Sequence, residues 1–112
     1  MSRLATRVEA DITRLGRAMT LRRRSGTTNT FTDVEVTGVP RAYKPGELLG
    51  GITQGDQRVT ISNGEIAAAD WPGPPRKGDV IVIDGHTWSL LGAEPRYLGS
   101  AVVAHVLWVR GG

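Results

Sequence analysis

The sequence has no cysteine, and its 112 residues include only three Trp, two Tyr and one Phe. Without cysteine the chain forms no disulfides, thiolate zinc sites or catalytic thiols. No apolar run approaches the ~18 residues that a membrane-spanning helix needs, so we expect no membrane association. The length predicts a single domain over residues 1–112 with one modest core, since a chain of this size buries roughly two-thirds of its extended surface.

Positive charge is concentrated at the N-terminal end of the chain. The formal net charge is +3, and residues 1–24 carry seven Arg against two acids, whereas residues 25–112 carry seven Lys or Arg against nine acids. A nucleic-acid-binding domain usually shows a broader basic face. The basic character therefore belongs to one element.

Residues 2–18 have the apolar period of an amphipathic helix. One arc of this helix is expected to pack on a sheet, and it holds Leu4, Val8, Ile12 and Leu15. A separate stripe holds Arg3, Arg7, Arg14 and Arg17. The stripe is either a solvated face or a contact with an acidic partner, protein or nucleic-acid backbone. These four arginines are therefore candidate interface residues.

From residue 19 onwards the pattern becomes the alternation of β-strands. FTDVEVTGV places Val34 and Val36 on one side, and QRVTIS directs Val59 and Ile61 to one side. AVVAHVLWV is a continuous apolar run, which predicts a central strand or one covered on both faces. Pro40 predicts an edge or a bulge, because proline cannot donate to a strand ladder.

The clearest local signal is the hairpin GDVIVIDGHTWSLLG. Asp84-Gly85 is the expected two-residue type I′ turn. The turn sets a register in which Ile83 faces His86 and Ile81 faces Trp88. Cross-strand partners share a face, so the face with Ile81 and Trp88 should be core.

SNGEIAAADW predicts a short helix, in which Ser62 and Glu65 have the spacing of a capping box. The predicted elements are therefore an N-terminal helix over residues 1–18 and about six strands over residues 19–110, with a short helical insertion. This order predicts a mainly β protein, a small β-barrel or two-sheet sandwich, with the N-terminal helix packed outside.

The sequence shows no matched set of acid, base, nucleophile and metal ligand. His86 and His105 have neither a second His at i+4 nor a nearby cysteine, and are expected to be ordinary core or surface residues. We therefore predict that the protein is not an enzyme and has no catalytic residues, metal or cofactor. Trp88 is expected in the core, and Trp71, next to PGPP, is a candidate interface anchor because Trp is enriched in such sites.

The segment KPGELLGGITQGDQ, residues 44–57, holds four glycines. A P-loop needs a lysine and a hydroxyl residue directly after its last glycine, but Gly55 is followed by Asp56 and Gln57, and the aspartate would repel a phosphate. The glycines also lack the spacing of a dinucleotide fingerprint. The alternative is a mobile surface loop between two strands.

Two long stretches carry a family resemblance: RAYKPGELLGGITQGDQRVTIS, and DWPGPPRKGDVIVIDGHTWSLLGAEPRYLGS after the short helix. Over roughly residues 19–110 the chain resembles the head–tail joining proteins of long-tailed bacteriophages, also called head closure or stopper proteins, which have relatives in gene transfer agents. The resemblance implies a non-enzymatic ring of small β-barrels in the neck of the virion. There the ring retains packaged DNA and receives the tail.

In that family a long loop between two barrel strands reaches into the channel and helps to plug it. Carried onto this sequence, the channel or gating loop is residues 44–57, with the candidates Lys44, Glu47, Leu48, Leu49, Gly50, Gly51, Ile52, Gln54, Gly55 and Asp56. The glycines are then expected to serve motion and close packing. Glu47 and Asp56 are expected to present negative charge to the DNA, which would let it slide.

The resemblance also implies the partners. These are further copies in a homo-oligomeric ring, portal and adaptor proteins above, tail proteins below, and double-stranded DNA in the lumen without sequence-specific contact. The implied location is the virion neck, after assembly in the host cytoplasm. Two alternatives stay open: another tail or neck barrel, such as a tail-completion protein, and a small nucleic-acid-binding barrel that uses the Arg stripe.

Overall fold

The computed structural model describes residue 12 and residues 14–25, 30–47, 50–53, 55–69, 71 and 73–111. Six strands in these ranges form a closed antiparallel barrel in the order β1-β2-β3-β6-β5-β4. They are β1 (Arg17–Ser25), β2 (Thr30–Ala42), β3 (Gln57–Ser62), β4 (Val80–Ile83), β5 (His86–Leu98) and β6 (Ala101–Gly111). A one-turn 3-10 helix covers Pro45–Glu47, and helix α1 covers Asn63–Ala68. The predicted mainly β barrel of about six strands with a short helical insertion is confirmed.

The core fills the inside of the barrel, because side chains that point inward alternate with outward ones along each strand. The buried cluster consists of Met19, Leu21, Val34, Val36, Val59, Ile61, Ile66, Trp71, Ile81, Ile83, Leu90, Leu107 and Val109. The alternation predicted for β2 and β3 is therefore confirmed. Trp88, which was predicted to lie in the core, is only partly buried and packs against this cluster.

The β4–β5 hairpin has the predicted turn and register. Asp84 and Gly85 have φ angles of 50° and 81°, and a type I′ turn requires positive φ at both positions. Ile83 pairs with His86 and Ile81 with Trp88. β6 pairs with both β3 and β5, so it is the central strand that its apolar sequence predicted.

Pro40 lies where β2 has a strand neighbour on one side. It pairs with Val59 of β3, but β1 pairs with β2 only as far as Gly38. This is the local edge position that the missing N–H of proline favours. No helix among the described residues is long and apolar enough to cross a membrane.

Helix α1 covers an edge of β2 that β3 is too short to cover. Pairing of β2 with β3 stops at Gly38. Beyond that point the Glu65 carboxylate accepts from the Thr37 amide at 2.8 Å and from the Thr37 hydroxyl at 3.3 Å. The Trp71 indole donates to the Thr32 carbonyl at 3.3 Å. Side chains thus satisfy backbone groups that an open edge would expose.

The capping box predicted at the start of α1 is only half formed. Ser62 is the N-cap, and its hydroxyl accepts from the Gly64 amide at 3.2 Å. The Glu65 carboxylate does not accept from the amide of the N-cap, because it is bound to Thr37 of β2. Thr37, a residue distant in the chain, is thus the partner of Glu65 in place of the nearby N-cap.

The predicted helix over residues 2–18 lies mostly outside the described residues, and its predicted end is wrong. Arg17 already belongs to β1, where it pairs with Gly38, so strand pairing overrides helical propensity there. Ile12 is buried in a small second cluster with Val103 and Ala104. Leu15, by contrast, is 66% exposed, so the predicted apolar arc does not extend to it.

Replacing Leu21 with Ala should lower the free energy of unfolding by about 2–5 kcal/mol, because this side chain is 0% exposed. The matched control is Leu15→Ala, which should change it by no more than about 0.5 kcal/mol. Urea unfolding followed by tryptophan fluorescence measures both. Equal losses in the two variants would contradict this assignment of the core.

Candidate functional site

The glycine-rich segment turns back onto the barrel beside β6. Gly50, Gly51 and Gly55 have φ angles of 63°, 93° and 98°, in the left-handed region that favours glycine. Gly51 also lies against Trp108, since an added Cβ would be 3.6 Å from the end of that ring. The folded conformation itself therefore requires these glycines, a reason that is independent of motion.

Asp56 anchors this segment with a carboxylate that is only 2% exposed. From β6 the carboxylate accepts from Trp108 Nε1 at 2.8 Å, from Arg110 Nε at 2.8 Å and from Arg110 Nη2 at 3.0 Å. From the segment itself it accepts from the amide and the hydroxyl of Thr53, at 3.0 and 3.2 Å. A buried carboxylate keeps its charge only with such donors. The hydrogen bonds from Arg110, more than any other contact, hold the pKa of Asp56 well below its usual range.

The negative charge of Asp56, which the sequence predicts to face DNA, is paired with Arg110 inside the protomer. Glu47, at the other end of the segment, is also paired. Its carboxylate accepts from the Lys44 amide at 2.8 Å, and it lies 3.3 Å from Arg58 and 3.5 Å from Arg41. The Lys44 amide is the main reason why the pKa of Glu47 is lowered.

The described residues of the predicted loop lie together on the barrel surface. Leu48, Leu49 and Gln54 lie outside the described residues. Lys44, Gly50, Gly51 and Gly55 are exposed. Ile52 is half-buried and borders a groove of about 370 Å³ that Trp108 also lines. The segment is thus a surface feature, as predicted, with two anchored ends.

The predicted interface arginines are only partly described. Arg3 and Arg7 lie outside the described residues. Arg14 is exposed, and Arg17 is exposed and forms an ion pair with Asp84 at 2.7 Å. An exposed pair contributes only about 0–1 kcal/mol, so the Asp84 contact is a weak constraint on Arg17.

Trp71, the predicted interface anchor, is 5% exposed and belongs to the barrel core. The guanidinium of Arg23 lies 4.2 Å from the centre of its ring. Arg23 in turn donates to both carboxylate oxygens of Asp79, at 2.9 and 2.8 Å, and to the Pro74 carbonyl at 2.9 Å. Trp71 therefore helps to fix the segment between α1 and β4, and it offers little surface within the protomer.

Trp108 and Arg110, which hold the loop, were not predicted from the sequence as site residues. Their contacts follow from the pairing of Gln57 with Val109, which brings the end of the loop next to the outward side chains of β6. The bond between Asp56 and Arg110 joins residues 54 positions apart. Only knowledge that β3 and β6 are neighbours could have indicated it.

His105 is a buried histidine, one of the two ordinary settings, core or surface, that the sequence predicted. It is 3% exposed, and its Nε2 lies 2.9 Å from Asn63 Oδ1. Burial lowers its pKa. Among the described residues, no group of three or more His, Cys, Asp or Glu could hold a metal ion.

Comparison with known proteins identifies the family. The family model of the phage head–tail attachment protein matches residues 1–108. The chain belongs to this family. The resemblance inferred from the sequence is thus confirmed, and the match also includes the Arg-rich beginning of the chain. No curated protein matches the chain.

Membership in the head–tail attachment family supports a structural role in the phage neck, and a location in the virion. It also implies contact with other phage head and tail proteins. The family is a structural one and is not known for catalysis.

Replacing Gly55 with Ala should destabilise the protein by about 1–2 kcal/mol, because its φ of 98° is unfavourable for residues with a Cβ. Gly46→Ala is the matched control: an added Cβ there meets nothing within 4 Å, and its φ is not left-handed. Chemical unfolding measures both variants. If both replacements have the same effect, the glycines are not required by the turn geometry.

Stability should fall as the pH drops below about 6.5, the ordinary pKa of histidine. Because burial lowers the folded-state pKa of His105, the unfolded chain binds the proton first. The stability contributed by neutral His105 is complete above the pKa of this residue in the unfolded chain. It is lost as the pH falls through the lower pKa of the folded protein. Unfolding of wild type and His105→Gln at pH 8 and pH 5 measures it, and the variant should show the smaller loss. The matched control is His86→Gln at an exposed position, which should lose as much stability between pH 8 and pH 5 as the wild type. A larger loss in His105→Gln than in the wild type would refute the assignment.

Proposed function

We propose that this protein forms a closed homo-oligomeric ring in the virion neck, between the portal and adaptor proteins and the tail. The ring closes the DNA channel and provides the tail with an attachment surface. The observation that carries the proposal is the family match over residues 1–108. The closed barrel supports it, because it supplies a rigid subunit of the kind that such a ring needs.

The closed shape of the barrel favours contacts between subunits that are made by side chains and not by strand edges. A ring of identical subunits uses two different faces of each copy in a head-to-tail contact that closes on itself. Barrel closure and the cover that α1 provides for β2 remove most of the strand edges that would otherwise recruit another chain. Neighbouring copies therefore meet through surface side chains.

Residues 44–57 are proposed to border the channel. Glu47 and Asp56 attach the two ends of this segment to the barrel, which gives the segment a rigid base. Lys44 is the only Lys or Arg in this stretch. A loop with few cations forms few phosphate contacts and allows DNA to pass. The small number of cations in residues 44–57, and not the charge of Glu47 and Asp56, is thus the proposed reason why DNA would slide.

The exposed arginines Arg14 and Arg17 are proposed to contact an acidic surface of a neighbouring protein, together with Arg3 and Arg7. The family match covers this basic stretch, which supports a role in attachment. Opposite charge at such a contact would direct the approach of the partner and set its orientation.

Imaging of the protein assembled with its portal and adaptor tests the proposal. A ring on the DNA axis directly below the adaptor is expected, with residues 44–57 nearest the axis. The protein alone and the portal–adaptor complex alone are the controls. Density only at the tail would favour the tail-completion alternative, and monomers at high concentration with and without partners would refute the ring.

A further inference from the structure

The contacts of Asp56 lie on one side of β6. Leu107 and Val109 are fully buried in the barrel core, and successive side chains of a strand point to opposite faces. Trp108 and Arg110 therefore share the outer face. Both donate to the same carboxylate, so a single side chain from the loop binds two neighbouring positions of the barrel wall.

On the loop side, the same carboxylate closes a compact turn. It accepts from the Thr53 amide and hydroxyl, and the Asp56 amide donates back to the Thr53 carbonyl at 3.1 Å. Arg110 Nη2 adds a second connection, since it donates to the Gly51 carbonyl at 3.1 Å. Among the described residues, every hydrogen bond between the turn 50–56 and β6 thus involves Asp56 or Arg110.

We propose that Asp56 is a latch that holds residues 50–53 and 55–56 on the outer face of β6, so that these residues are ordered before any partner binds. The proposal rests on the proposed function for its role in assembly. Three glycines with left-handed φ make this turn costly in conformational entropy when it is ordered. Bonds to charged groups are the strong ones, and here they join the turn to β6.

Ordering the loop in advance has a direct consequence for ring formation. A segment that orders only on binding loses its entropy at that moment, which weakens the contact. A loop already held by its own barrel avoids that loss. Asp56 is therefore a positioning residue for the proposed channel loop, and it acts through the turn and not through a contact with DNA.

Hydrogen exchange and NMR of the full chain test the latch. In Asp56→Asn, the amides of Thr53 and residue 56, which are hydrogen-bonded within the turn, should exchange about tenfold faster or more, and the Trp108 indole N–H signal should shift, while the Ile61 and Leu107 amides stay protected. The matched control is Asp33→Asn, which removes an exposed carboxylate that also binds an arginine twice. It should leave the turn unchanged.

Arg110→Gln provides a second variant if Asp56→Asn fails to fold. It removes the guanidinium but leaves Trp108 and Thr53 as donors, so it should speed exchange at the amides of Thr53 and Asp56 by less than Asp56→Asn would. Unchanged exchange at both amides in every folded variant would overturn the latch. So would an equal increase at Ile61 and Leu107, because Asp56 would then be a residue for global stability.

Ring assembly with portal and adaptor separates this inference from the proposed function. If the wild type forms rings and Asp56→Asn forms them more slowly, with its barrel intact, both ideas are supported. Rings that form equally fast in both proteins would overturn the role of the latch in assembly and leave the ring in place. Failure of the wild type to form rings would refute the proposed function, while the exchange measurement would still decide the latch.

Discussion

The alternation of side chains along β6 is the constraint on which the rest of the structure depends. β6 is paired on both sides, so its two faces are set by the barrel and cannot exchange. Leu107 and Val109 enter the core, and Trp108 and Arg110 are left outside to bind the loop. A shift of one residue in this strand would expose the apolar pair and bury the polar one.

Two irregular segments are attached to the barrel in the same way, by a buried carboxylate and an arginine. Asp56 binds Arg110 below the glycine-rich turn, and Asp79 binds Arg23 beside Trp71. Asp79 and Arg23 are both buried, so their pair has to offset its own desolvation, whereas the side chain of Arg110 is 43% exposed. The exposed pair of Arg22 and Asp33 has no comparable effect. Anchored loops on a closed barrel suit a protein that acts by placement in an assembly.

Membership in the head–tail attachment family indicates a structural protein of the phage neck. In the function proposed above, its working parts are a rigid barrel, a surface loop and a basic N-terminal stretch. The rigid part determines where the other two are presented. The polar network around Asp56 fixes the position of the surface loop on the barrel.

Local patterns in the sequence determined the strands, the Asp84-Gly85 hairpin, the buried faces of β2 and β3, the insertion of α1 and the existence of the surface loop. Each of these depends on neighbours in the chain, through side-chain period and turn chemistry. Only the tertiary structure decided that Asp56 is buried, that Glu65 binds β2 and that Trp71 lies in the core. These three depend on partners 28 to 54 residues away. Such partners are chosen when strands close into a barrel, and no local period specifies that choice.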